Sequence, residues 1–69
     1  MRRYFYPDLL HTEAQFTLQG ELFHHIFDVC RLQVGQHFEL LNSTGVAYLV
    51  RVLEVGKKTA QVVVCEERK

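Results

Sequence analysis

Eight of the nine valines lie from Val34 onward. A β-branched side chain has few χ1 rotamers in a helix and packs well on a pleated surface. The second half of the chain is therefore expected to be strands. Before it, the apolar period changes twice. Ala14-Gln15-Phe16-Thr17-Leu18-Gln19 alternates at period two, the pattern of a half-buried strand, and Gly20 ends it. From Glu21 the period lengthens. Leu22, Ile26 and Val29 fall at i, i+4, i+7, as do Phe23, Phe27 and Cys30, which predicts about three turns of helix with a wide apolar stripe. Glu21 near its start and Arg31 near its end suit the helix dipole.

Around that helix the short period dominates. Residues 3–6 form a short predicted strand stopped by Pro7-Asp8. His37 to Leu41 is another. Residues 46–55 form a long, nearly apolar strand that bends to change the face it buries, and residues 59–65 place Ala60, Val62 and Val64 on one face. Asn42-Ser43-Thr44-Gly45 and Gly56-Lys57-Lys58 supply the turns. The predicted core holds Phe16, Phe23, Phe27, Phe38, Val50, Val52, Val62 and Val64. Five strands and one helix in 69 residues make one small, mainly β domain. Open edges would expose a ladder this short to foreign strands, so closure into a small PUA-like or OB-like β-barrel of about five strands is expected, with the helix plugging one end or flank.

Composition narrows the function classes. Eight Lys+Arg balance eight Asp+Glu, which excludes a strongly cationic nucleic-acid wrapper and an acidic tail. So short a chain buries only about 60% of its unfolded surface, too little for the two-layer domains that usually house cofactor enzymes. Two cysteines without a CxxC do not make a four-thiolate zinc site. Cys30 and Cys65 read as free thiols of a reducing compartment, each a small buried hydrophobe. Met1-Arg2-Arg3-Tyr4 has no apolar stretch behind it, and no run approaches the roughly 20 residues of a membrane span. A soluble, cytoplasmic module is the expectation.

Candidate chemistry is sparse. On a helix His24 and Asp28 are hydrogen-bonding neighbours, but His24 and His25 point about 100° apart and do not converge on one metal. A solvated helix face is the simpler reading. No acid, base and nucleophile converge, so the chain alone is not expected to catalyse a reaction. The cations say more. Arg2 and Arg3 precede Tyr4-Phe5-Tyr6, Arg31 closes the helix, Arg51 interrupts an apolar strand, and Lys57 and Lys58 sit at a hairpin tip. Cations meet phosphates and rings stack on bases, so this interleaving suits RNA.

The order of these motifs is similar to a known family. Met1-Arg2-Arg3-Tyr4-Phe5 resembles the N-terminus of the RsmE family, the small-subunit ribosomal RNA uridine-N3 methyltransferases. The stretch from His25 to Gly35 resembles its His-x-x-x-Val-Leu-Arg-x-x-x-Gly signature, with His25, Val29, Arg31 and Gly35 on the signature positions. Cys30 stands where the family usually has Leu, Gln36 where an Asp commonly follows the Gly, and Asn42-Ser43-Thr44 where an Asp-Gly turn is usual. The resemblance implies an N-terminal PUA-like RNA-binding domain, residues 1–69, cut from a protein roughly three times longer. There, a C-terminal SPOUT methyltransferase domain dimerises and binds S-adenosylmethionine. It implies as partners 16S rRNA in the small ribosomal subunit, the chain's own methyltransferase domain and a homodimer, with no membrane. Neither cofactor nor catalytic group is expected in this chain, where Glu66 to Lys69 reads as the exit into the next domain.

The expected RNA-binding residues are Arg2, Arg3, His25, Arg31, Lys57 and Lys58. Arg31 has an alternative role, bonding carbonyls at the helix end. His25 has one too, as a structural hydrogen bonder. Two rival functions are a docking or dimer-shaping module for the catalytic domain with little RNA contact, and a free-standing OB-like single-strand binder.

Overall fold

Phe23, Ile26 and Phe27 enter the same core as Leu18, Phe38, Leu40, Val50, Val52, Val62 and Val64, all buried. The computed structural model describes residues 3–7 and 10–68. Within them run β1 (Arg3–Phe5), β2 (Gln15–Gln19), α1 (Gly20–Phe23), a π-helical turn (His24–Val29), β3 (His37–Leu41), β4 (Ala47–Val55) and β5 (Thr59–Arg68). The strands form one sheet in the order β1-β3-β4-β5-β2. Only β1 against β3 is parallel; the other pairs are antiparallel.

The fold is mainly β with one short helix, as expected. The sheet curls into a half-barrel rather than a closed ladder. Its two edges meet through side chains: the ring of Tyr6, the residue after β1, lies 5.3 Å from that of Phe16 in β2. Two bulges in the β4–β5 ladder drive the curl. Leu49 pairs with Glu66 and Val50 with Val64, so Cys65 is an extra residue; Val52 pairs with Val62 and Glu54 with Gln61, so Leu53 is another. Each extra residue bends its strand and increases the local twist.

Three expectations are corrected. The helix is not a regular α-helix, because Cys30 N–H donates to the His25 carbonyl, five residues back. That wider turn rotates Val29 off the apolar stripe, and it stands 58% exposed. Cys65 is exposed at its bulge instead of buried, while Cys30 is half-buried; both are free. The run Glu66 to Arg68 does not leave the sheet: Glu67 pairs with Tyr48 and Arg68 with Ala47.

Local chemistry explains the connections. Gly20 takes φ +69 at the strand-to-helix corner, a conformation costly for a residue with a Cβ. The β3–β4 turn is organised by buried Asn42. Its Oδ1 accepts from Thr44 N, Thr44 Oγ1 and Val46 N at 3.0, 2.6 and 3.2 Å, and its Nδ2 donates to Tyr48 Oη at 3.3 Å.

Candidate functional site

The sheet order brings the β4–β5 hairpin tip onto the start of the helix. Lys57 and Lys58 line, with Gly20, Phe23, His24 and Asp28, a shallow cleft of about 270 Å³. A second, larger groove of about 550 Å³ lies beside it, lined by Phe5, Glu21, Leu22, His24 and His25. His24 lines both, so the two are contiguous.

Three rings in this region have a physical anchor. His24 Nδ1–H donates to Asp28 Oδ2 at 3.0 Å, the i, i+4 bond read from the sequence. His25 is exposed, and Tyr4 meets it edge-on with ring centroids 5.3 Å apart. Tyr4 in turn packs edge-on against buried Phe38 at 6.0 Å. Phe5, next along β1, is 60% exposed and lines the same groove as His25.

The cations divide into two groups. Arg3 and Arg68 converge on Glu39, a carboxylate with a side chain only 9% exposed. Arg3 Nη2 lies 3.2 Å from Oε1 and Arg68 Nη1 lies 3.2 Å from Oε2. Burying that charge is tolerable because both its oxygens are paired. Arg31, Arg51, Lys57 and Lys58 are exposed and make no side-chain ion pair or hydrogen bond among the described residues. Arg31 takes φ +58 where the helix ends, so its backbone forms the stop while its guanidinium stays in solvent.

The six expected residues are thus spread out. His25 lines one groove and Lys57 and Lys58 the adjoining cleft. Arg31 follows the helix, Arg3 is engaged with Glu39, and Arg2 lies outside the described residues. Sequence reasoning missed Phe5, Glu21, Leu22 and His24 as groove residues. The aromatic run gave a signal for Phe5, but packing of the hairpin tip against the helix is a long-range contact without a local motif. Among the described residues no group of three His, Cys, Asp or Glu side chains is arranged to hold a metal ion, and no helix is long and apolar enough to cross a membrane.

None of the curated proteins matches the chain. Among solved structures, the chain superposes on ribosomal RNA small subunit methyltransferase E of Neisseria gonorrhoeae, bound to S-adenosyl methionine, with a TM-score of 0.90. Identity is 22%, over 100% of this chain and 29% of that one. A probable rRNA methyltransferase of Porphyromonas gingivalis gives a TM-score of 0.81 at 22% identity, over 100% of this chain and 28% of that one. At these identities the likeness establishes the fold, and the chain spans less than a third of either protein's length. The family model for the RNA methyltransferase PUA domain matches residues 18–65, well over half of the chain. With the half-barrel, its helix and the contiguous clefts described, that match places the protein in the RNA methyltransferase PUA domain family.

Proposed function

We propose that this chain is the RNA-positioning domain of a longer, S-adenosylmethionine-dependent 16S rRNA uridine-N3 methyltransferase of the cytoplasm. Residues 1–69 make its N-terminal PUA-like domain, and the methyl donor, the catalytic groups and the homodimer interface belong to a further domain. Both clefts here are shallow and open, which suits a strand of RNA and not an enclosed methyl donor.

The observation that carries the reading is where the positive charge is left over. The chain is neutral, yet Lys57 and Lys58 stand unpaired among the described residues on the rim of a cleft that also holds a histidine. A neutral domain binds a polyanion when its free cations gather on one face. Such cations position an enzyme without reading sequence. Weak binding suffices when a second domain raises the effective concentration.

The test is RNA affinity against salt. Changing Lys57 and Lys58 together to Ala should flatten the plot of log affinity against log salt by about 0.7–0.9 for each phosphate no longer neutralised. An unchanged slope would remove both lysines from the interface. The docking reading draws on Val29 and Val34, 58% and 61% exposed. It predicts chemical-shift changes at these valines when the separately made catalytic domain is added, and none with RNA.

A further inference from the structure

We propose that the groove between Phe5 and His25 seats one unstacked RNA base, while the adjoining backbone phosphate runs past His24 to Lys57 and Lys58. This rests on the RNA-positioning reading and adds a base site to it. Three residues that carry flat rings, Phe5, His24 and His25, line one groove. A ring 60% exposed on a three-residue strand contributes little to the fold; its face is open to a partner. The rings opposite are held in place before any ligand arrives, His25 by Tyr4 and His24 by Asp28. Such preorganisation lowers the ordering cost of binding. Leu22, half-buried, adds an apolar wall, and Glu21 supplies a carboxylate that accepts from the N–H or amino group every RNA base carries on its pairing edge. The volume, about 550 Å³, falls within the range of small-molecule sites. The adjoining cleft, reached through His24, carries two lysines against the single carboxylate of Asp28, which His24 engages, and this surplus of positive charge favours a nucleotide over an apolar peptide.

The test compares two end-labelled strands of equal length by fluorescence anisotropy: single-stranded oligouridylate, and the same ribose-phosphate chain without bases. Stacking on an aromatic ring should make the intact strand bind about 5–150-fold tighter. Phe5→Ala should erase that difference while leaving the abasic affinity and the salt slope unchanged, and Phe5→Tyr should keep it. Circular dichroism checks that both variants fold, and the two-strand comparison on the unaltered chain needs no variant. Equal affinity for the two strands with a retained salt slope overturns the base site and leaves the phosphate reading standing. Absence of binding by either strand overturns both.

Discussion

Glu39 shows how one residue's cost is shared. Alone it would be a desolvated carboxylate; with Arg3 and Arg68 it is held from both sides. Arg3→Ala or Arg68→Ala alone should cost about 1–2 kcal/mol in urea unfolding, since one guanidinium remains. The double variant should cost about 3–5 kcal/mol, more than the sum, because it leaves a buried charge without a partner. Strict additivity would mean that Glu39 is solvated. Arg31 offers the opposite case. Its φ of +58 strains a residue with a Cβ, so Arg31→Gly should raise stability by about 0.5–1 kcal/mol, read as a melting point about 2–8 °C higher. A lowered melting point would show that the guanidinium holds the turn. Neither role was legible in the sequence. Glu39 sits in an apolar strand like any surface acid, and a left-handed stop is usually marked by glycine, not arginine.

Among the elements, strands were read more accurately than the helix. His37–Leu41 was legible to the residue, and the bend expected in residues 46–55 is the bulge at Leu53. Alternation and valine crowding are local signals, and the ladder preserves them. A π-helical turn has no such signal, because its apolar stripe looks α-helical until the hydrogen bonds are seen. It still buries Phe27, so Phe27→Ala should cost about 3–5 kcal/mol and unfold much of the population. Val29→Lys should stay within about 0.5 kcal/mol, measured by thermal melting, because the wider turn has carried Val29 into solvent. A large loss at Val29 would restore the α-helical register.

For the whole molecule, the hardest features to foresee were the strand order and the way the edges meet. A parallel β1–β3 pair across the intervening β2 and helix depends on pairings far apart in sequence. Where a closed barrel was expected, the seam is two rings, Tyr6 and Phe16. Tyr6→Ala removes an aromatic pair worth about 0.5–1.5 kcal/mol beyond its buried area. Amide exchange in β1 should accelerate by about two- to tenfold, with β4 unchanged. Equal acceleration everywhere would mean that the seam opens only with global unfolding. The same long-range folding that hid the seam also brought the hairpin tip to the helix, and with it the candidate site. Arg3 and Arg68 close on the same carboxylate, so the side chains at the two ends of the described chain reach one point, with β3 and β4 between their strands. A flexible bridge long enough to pass those two strands could therefore join the ends, and the backbone could be reopened at Gly56-Lys57-Lys58. The resulting circular permutant should keep the sheet while turning the present hairpin tip into a pair of free termini.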